Sequence, residues 1–246
     1  MKYHIGCSGF SYKEWKGVFY PDKLQQNKWF EFYCEHFKTL ELNVTFYRFP
    51  TVATLQSWYN RSPQEYIFSV KAPRLITHYK HLTDTKELLS DFYSICKLGL
   101  KDKLGPILFQ FPKQFAYSKD NLSKIITNLD SNFINVVEFR HDSWWSEEVY
   151  TQLTKRKIIF CGISHPNLPG DLIINNSCIY YRLHGIPKIY YSGYEERVLK
   201  KFADTILQKD SINGLFCYFN NTAAMAAIEN ARWLIRYIEH VKEIGK

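Results

Sequence analysis

The chain has 246 residues, of which 46% are apolar and 17% aromatic, and a formal net charge of +8 at pH 7. This length and composition are typical of a folded α/β protein and argue against a disordered or disulfide-dependent chain. The polar start and the lack of a run of about 18 apolar residues predict a cytoplasmic protein without a membrane partner, and the positive charge favours anionic partners.

Eight apolar stretches predict β-strands along the whole chain. They span residues 3–7, 39–43, 66–71, 107–111, 136–141, 158–163, 178–183 and 215–219. Runs without alternation, such as Ile107-Leu108-Phe109, are typical of strands in a parallel sheet that is covered on both faces. An aromatic-rich loop over residues 10–21 follows the first strand, and we interpret it as either a lid or a subunit contact.

Apolar residues at helical spacing separate most of these strands. Helices are expected around residues 25–38 and 52–60, around the apolar positions 88–96, and around residues 118–129, 146–156, 198–207 and 222–240, with Asp84 and Ser118 as caps of the third and fourth. Residues 165–176 are rich in Pro, Gly and Asn, so the sixth helix is expected to be short or missing.

The alternation of eight strands with helices predicts a (β/α)8 TIM barrel that forms a single domain over residues 1–246. An open doubly wound sheet is the alternative, but no G-x-G-x-x-G motif follows the first strand. The six cysteines contain no C-x-x-C pair, and four of them lie in predicted strands. They are expected to be free, buried thiols in a reducing compartment.

Nearly every predicted strand ends in polar residues, which a barrel would bring together at one rim. Side chains two positions apart share a face of a strand, so Glu138 and Arg140 should point to one place, as should Glu41 with Asn43 and Arg182 with His184. A ring of buried ion pairs that only closes the barrel is the alternative interpretation. The predicted rim residues are Ser8, Glu41, Asn43, Lys71, Gln110, Glu138, Arg140, His141, Ser164, His165, Arg182, His184, Asn220 and Asn221.

The same stretches carry a set of motifs in a specific order. They are Gly6-Cys7-Ser8-Gly9-Phe10-Ser11-Tyr12 with Trp15, Glu41-Leu42-Asn43 with Phe46-Tyr47, Val70-Lys71-Ala72-Pro73-Arg74 with Thr77-His78, Phe109-Gln110-Phe111-Pro112, Glu138-Phe139-Arg140-His141, Arg182-Leu183-His184-Gly185 and Tyr218-Phe219-Asn220-Asn221. With them the chain resembles the YecE-like proteins, the DUF 72 family of unknown function. The resemblance implies a TIM barrel but no reaction, and a sugar-phosphate isomerase or a hydrolase is suggested by fold analogy alone.

The first functional hypothesis is an enzyme that acts on a phosphorylated or other anionic small molecule. Glu138 or Glu41 would be the general base or acid, with Lys71 or His184 as its partner. Phosphate sites of barrels often use the loops after strands seven and eight and a helix N-terminus, which here would be that of the last helix. The expected substrate-binding residues are Asn43, Tyr47, Gln110, Arg140, His141, Arg182, Asn220, Asn221, Tyr12 and Trp15.

Other functions remain open from the sequence. A nucleic-acid-binding or endonuclease-like barrel would use the positive charge and would stack bases on aromatic side chains. A divalent metal could be held by ligand types such as Glu41, Glu138, His141, His165 and His184, although no close-spaced pair of such ligands is present. A non-catalytic binding protein is the last alternative. The aromatic candidates for stacking are Phe10, Tyr12, Trp15, Phe46, Tyr47 and Trp144.

Overall fold

The computed structural model describes residues 1–244, which form an α/β fold with parallel strands. The predicted class is therefore confirmed, and most strands lie within two or three residues of their predicted bounds. The strands are β1 (Lys2–Cys7), β2 (Thr39–Leu42), β3 (Ile67–Lys71), β4 (Leu104–Gln110), β5 (Asn135–Glu138), β6 (Ile159–Phe160), β7 (Gly162–Ser164), β8 (Cys178–Leu183) and β9 (Gly214–Phe219).

The strands form two sheets, one in the order β1-β9-β8-β7 and one in the order β2-β3-β4-β5-β6. Every neighbouring pair within them is parallel. A parallel bridge between Ser8 and Glu41 joins the ends of β1 and β2, so the two sheets run in the same direction there. The carboxyl ends of the strands consequently lie on one side of the molecule.

The two sheets approach each other at both pairs of edges. At one, the Gly9 N–H donates to Glu41 O at 3.0 Å, next to the Ser8 bridge. At the other, Cys161 alone separates β6 from β7, and its N–H donates to Val137 O at 2.8 Å. The single predicted strand 158–163 is thus divided in two, and strand pairing within residues 1–244 does not run as one continuous ring.

The inner faces of the two sheets are in direct contact. The buried Tyr218 hydroxyl on β9 lies 2.6 Å from Thr39 Oγ1 and 2.8 Å from Ser69 Oγ, which belong to the other sheet. Apolar side chains fill the rest of this space because the strands carry apolar residues on both faces. The cluster consists of Leu108, Val136, Ile159, Cys161, Tyr180, Phe216 and Tyr218.

The helices cover the outer faces of the sheets, and some of them begin at residues whose side chains accept from free backbone N–H groups. Ser118 accepts from Asn121 N–H and Ser146 from Val149 N–H, so the predicted Ser118 cap is confirmed. The predicted Asp84 cap is wrong, because Thr85 precedes that helix and makes no capping bond. The helices are α1 (Trp29–His36), α2 (Val44–Tyr47), α3 (Val52–Arg61), α4 (Lys86–Leu100), α5 (Lys119–Asn128), α6 (Glu147–Lys155), α7 (Glu196–Leu207) and α8 (Ala226–Ile244).

The segment between β7 and β8 contains no helix, as the sequence predicts. Asn175 attaches this segment to the end of the sheet, since its Oδ1 accepts from Phe160 N–H and its Nδ2 donates to Ile158 O, both at 2.9 Å. The start of the segment, with His165, Asn167 and Leu168, lies over the carboxyl ends of the strands.

Two further predictions concern the whole chain. All six cysteines are free thiols, and five of them are buried, with Cys178 partly exposed. Within residues 1–244, every helix is too short or too polar to span a bilayer.

Candidate functional site

The carboxyl ends of the strands surround a cavity of about 410 Å³, named here the strand-end cavity. A larger open groove of about 920 Å³ lies on the outer surface beside α4 and α5, but none of the predicted rim residues reaches it. The strand-end cavity is therefore the better candidate site. Its lining consists of Lys71, His78, Gln110, Pro112, Lys113, Arg140, His165, Asn167, Leu168, Arg182, Tyr190 and Asn220.

The lining is strongly basic. Lys71, Lys113, Arg140 and Arg182 contribute four cationic side chains, and no aspartate or glutamate is among the lining residues of this described cavity. Four cationic side chains around one small space attract anions, because a bound anion offsets the repulsion between the positive charges. The cavity is thus suited electrostatically to a ligand that carries negative charge.

Beneath the cavity, Arg182 joins two carboxylates from different strands. Its Nη2 donates to Glu41 Oε1 at 2.7 Å and its Nη1 to Glu138 Oε2 at 2.6 Å. Arg140 Nε donates to the other oxygen of Glu138, also at 2.6 Å. Arg182 and both carboxylates are almost completely buried, with 1% or less of each side chain exposed. We name these four residues the buried ion network.

Glu41 is saturated with hydrogen bonds. Besides Arg182, its Oε1 accepts from Ser8 Oγ and its Oε2 from the Tyr180 hydroxyl, both at 2.6 Å. Glu41 is fully buried and does not line the strand-end cavity. Its place in the structure is that of a counter-ion to Arg182, which differs from the predicted role of a catalytic base or acid.

Glu138 is held in its charged form in the same way. Burial alone would raise the pKa of Glu138, but Arg140 and Arg182 outweigh this effect and hold the pKa well below its usual range. A carboxylate with such a low pKa accepts protons poorly at neutral pH. Glu138 therefore orients the two arginines, and a proton-transfer group has to be found among other residues.

His184 is a buried neutral imidazole with a defined tautomer. Its Nε2 lies 2.8 Å from Arg140 Nη2 and 3.4 Å from Arg182 Nη1. Because guanidinium groups only donate, Nε2 accepts and the proton resides on Nδ1. Burial, together with Arg140 and Arg182, lowers the pKa of His184 well below its usual value. The buried Nδ1–H has no hydrogen-bond partner in residues 1–244, and His184 does not line the strand-end cavity.

Lys71 is a buried ionisable residue at the cavity that has no ion-pair partner within residues 1–244. Its Nζ lies 4.0 Å from the centre of the Phe46 ring, and no polar group of residues 1–244 hydrogen-bonds to it. Burial lowers the pKa of Lys71 to about 7, and Arg182 acts in the same direction, against the opposing effect of Glu138 and Glu41. Lys71 can therefore gain or lose a proton near neutral pH.

The paired arrangement of side chains is partly as predicted. Glu138 and Arg140 are hydrogen-bonded, and Arg182 and His184 face each other, which confirms both pairs. The pairing of Asn43 with Glu41 is wrong, because Asn43 has left the strand and precedes the short helix α2 with helical backbone angles.

The remaining predicted binding residues fall into two groups. Gln110 and Asn220 line the strand-end cavity, and Gln110 Nε2 donates to Phe111 O at 3.0 Å and faces His78. By contrast, Asn43, Tyr47 and His141 do not line it. Tyr47 is 69% exposed on α2, and His141 Nδ1 accepts from Ser143 N–H in a turn.

Three more predicted residues have structural contacts away from the cavity. The indole of Trp15 is fully buried and donates to Ala224 O at 3.0 Å. The Tyr12 hydroxyl donates to Ser8 O, and Asn221 Nδ2 donates to Ser192 O. Helix α8 begins only at Ala226, and none of its residues lines the cavity, so its N-terminus does not supply the predicted anion contact.

Several residues that line the cavity were not among the predicted rim residues. These are His78, Pro112, Lys113, Asn167, Leu168 and Tyr190. Burial and the nearby Lys71 lower the pKa of His78 to about 4, so His78 is neutral. His78 and Lys113 follow β3 and β4 closely in sequence, and a search extended a few residues beyond each strand would have found them.

The structure also bears on the alternative sites. Trp15 and Trp144 are completely buried and cannot stack on bases. Among residues 1–244, no three His, Cys, Asp or Glu side chains come together in a group that could hold a metal ion.

Replacement of Arg182 by methionine should destabilise the protein strongly. Glu41 would lose its only cationic partner while buried, and such a change costs about 3–5 kcal/mol. Urea denaturation measures this loss. Arg197→Met is the control, since Arg197 and Glu195 form a pair that is 82% and 68% exposed, and the expected change is below about 0.5 kcal/mol. Similar losses in both variants would contradict the importance of the buried ion network.

Comparison with known proteins gives a consistent picture. The profile of the family described as "Protein of unknown function DUF72" matches residues 4–245. The chain is 28% identical over 156 residues to UPF0759 protein YunF of Bacillus subtilis, an alignment that covers 61% of this chain and 54% of that protein. It is 24% identical over 135 residues to UPF0759 protein YecE of Escherichia coli strain K12, with 54% of this chain and 49% of the relative covered. The matched region thus spans about half the length of these relatives.

Solved structures extend the comparison to almost the whole chain. A DUF72 family protein from Thermotoga maritima superimposes with a TM-score of 0.87 at 29% identity, over 97% of this chain and 100% of the other. One from Enterococcus faecalis gives a TM-score of 0.81 at 15% identity, over 96% and 95% of the two chains. A putative vitamin-B12-independent methionine synthase from Listeria monocytogenes shares the fold alone, with a TM-score of 0.52 at 10% identity over 97% and 96%. The chain belongs to the DUF72 family of proteins of unknown function, as its motifs indicate.

Proposed function

We propose that this protein is an enzyme that binds a small phosphorylated or otherwise anionic molecule in the strand-end cavity. The observation that carries the proposal is the lining of that cavity, which has four basic side chains and no acidic one. Arg140 and Arg182 are paired with Glu138 and Glu41 beneath the cavity, whereas the buried Lys71 has no ion-pair partner within residues 1–244. A buried positive charge without a matching negative charge is costly. A bound anion would remove this cost and would gain charge-assisted hydrogen bonds.

Arg140 is the best candidate for the direct anion contact. Its Nε and Nη2 are engaged by Glu138 and His184, whereas Nη1 makes no hydrogen bond within residues 1–244. Its side chain is 16% exposed at the cavity. Arg182, in contrast, uses both of its Nη atoms on carboxylates. The fixed guanidinium of Arg140 therefore presents a free donor in a defined direction, with Lys113 and Asn220 in the same lining.

Lys71 is proposed as the group that transfers protons. A general acid or base is most efficient when its pKa lies near the working pH, and the pKa of Lys71 is about 7. The sequence-based assignment of Glu138 or Glu41 to this role fits less well, because both carboxylates are occupied by Arg182. They support the site from below by fixing Arg140 and Arg182.

We also propose that the two sheets together act as a (β/α)8 TIM barrel. The supporting observations are the contacts at both pairs of sheet edges and the shared inner core around Tyr218. In such barrels the active site lies at the carboxyl ends of the strands, where the strand-end cavity is found.

A non-catalytic anion-binding protein is the second candidate. It is favoured by the complete occupation of both buried carboxylates, which leaves no carboxylate base at the cavity. The two candidate functions differ in the role of Lys71, because only an enzyme requires an unpaired amine that titrates at this position.

Sulfate binding should depend on Arg140. Arg140→Met removes one charge-assisted contact, and we expect roughly tenfold weaker binding in titration calorimetry, in line with about 1.5 kcal/mol for a hydrogen bond to a charged group. Arg74→Met is the control, because Arg74 is exposed and does not line the cavity. Equal affinity of the Arg140 variant and the wild type, with both folded, would contradict the proposed anion site.

Sulfate affinity should fall as the pH rises through about 7. Below its pKa of about 7 Lys71 is charged and attracts the anion, and above it the amine is neutral. Sulfate itself stays dianionic throughout this range, so the change reports on the protein. In Lys71→Arg the charge is permanent and the decrease should disappear. An unchanged pH dependence in that variant would show that another group controls binding.

A further inference from the structure

Two lysines within residues 1–244 are buried, and they lie in very different environments. Lys103 is 5% exposed and Lys71 is 9% exposed. Lys103 Nζ donates to Tyr59 O at 2.7 Å, to Ser62 O at 2.9 Å and to Ser62 Oγ at 2.8 Å. All three of its protons are used, so Lys103 fastens β4 to the end of α3 as a structural ammonium group.

Lys71 has none of these acceptors. Within residues 1–244 its Nζ makes no hydrogen bond and no ion pair, and Arg140 and Arg182 belong to the same cavity lining. Its Nζ lies over the Phe46 ring, 4.0 Å from the ring centre. An amine in an apolar pocket beside cations loses its proton easily and becomes a nucleophile.

We propose that Lys71 forms an imine with a phosphorylated aldehyde or ketone held in the strand-end cavity. This inference rests on the proposed function, because the cavity has to bind the anionic group of the substrate. Arg140 and Lys113 would hold the phosphate group, and Lys71 would attack the carbonyl carbon. This assigns the substrate class as a carbonyl compound and the reaction as one that proceeds through a covalent Lys71 adduct.

The step is balanced without any redox reagent. The neutral amine of Lys71 adds to the carbonyl carbon, the C–N bond forms, and one amine proton moves to the carbonyl oxygen to give a carbinolamine. The hydroxyl group then leaves with the second amine proton as water, and the C=N bond forms. His165 lines the same cavity and can relay these protons. Asn167 N–H donates to His165 Nδ1 at 3.1 Å, which leaves the proton of neutral His165 on Nε2.

The structure explains why the other lysines should react slowly. An ordinary lysine with a pKa near 10.4 has only about one neutral amine in two thousand at pH 7, whereas a pKa of about 7 gives about one in two. Even after allowance for the weaker nucleophilicity of a less basic amine, Lys71 should react at least roughly tenfold faster than any exposed lysine.

The test is reductive trapping of the whole protein with glyceraldehyde 3-phosphate and sodium cyanoborohydride, followed by intact mass measurement and peptide mapping. We expect one adduct per chain at Lys71, with a rate that levels off above pH of about 7. Unphosphorylated glyceraldehyde should label Lys71 at least roughly tenfold more slowly, because it lacks the charge-assisted contacts of the phosphate. Lys71→Arg should abolish the adduct, and Lys103→Arg, the matched buried control, should retain it.

The outcomes separate this inference from the proposed function. If sulfate binds in an Arg140-dependent manner but no adduct forms at Lys71, imine formation is overturned and anion binding stands. If neither occurs, both are overturned. Adducts spread over exposed lysines at similar rates in wild type and Lys71→Arg would also overturn the inference. Because wild-type labelling alone decides the site, the test does not depend on the folding of any variant.

Discussion

The site depends on one interaction, the insertion of the Arg182 guanidinium between Glu41 and Glu138. The three residues come from β8, β2 and β5, and thus from both sheets. Three charges with almost no exposed surface are stable only when each has its partners, and removal of one would leave the others uncompensated. This interaction therefore links the register of the two sheets to the geometry at the carboxyl ends of their strands.

The properties of the neighbouring residues follow from this network. Arg140 is oriented by Glu138, and His184 is kept neutral by its burial and by the two arginines that donate to it. Since the two carboxylates are matched by the two arginines, the charge of Lys71 has no counter-ion of its own at the cavity. Desolvation then dominates the pKa of Lys71 and brings it to about 7. The cavity combines fixed positive charge with one amine that can lose its proton.

Much of this arrangement could be predicted from the sequence, because strand periodicity determines which residues end each strand. The prediction that the polar ends of the strands meet at one rim is correct for Lys71, Gln110, Arg140, Arg182 and Asn220, all of which line the cavity. The polar pairs on β5 and β8 followed from the two-residue repeat of a strand.

The features of the site that could not be predicted depend on the course of the chain outside the strands. Asn43 left its predicted face because a helical turn begins directly after β2. Lys113 and Tyr190 reach the cavity from loops, whose course periodicity does not specify. Sequence patterns also do not show whether an aromatic residue is buried against the core, as Trp15 is, or exposed for stacking. The division into two sheets depends on the local break at Cys161 and on the single bridge between the ends of β1 and β2, neither of which a residue pattern predicts.

We propose that the strand-end cavity is an anion site built on the buried ion network. Anomalous diffraction from crystals that contain selenate is the sharpest test, because the selenium signal locates the anion without reference to activity. We expect a peak within hydrogen-bond distance of Arg140 and close to Lys71. Well-ordered crystals with selenate only at the outer surface, and water alone in the cavity, would contradict it.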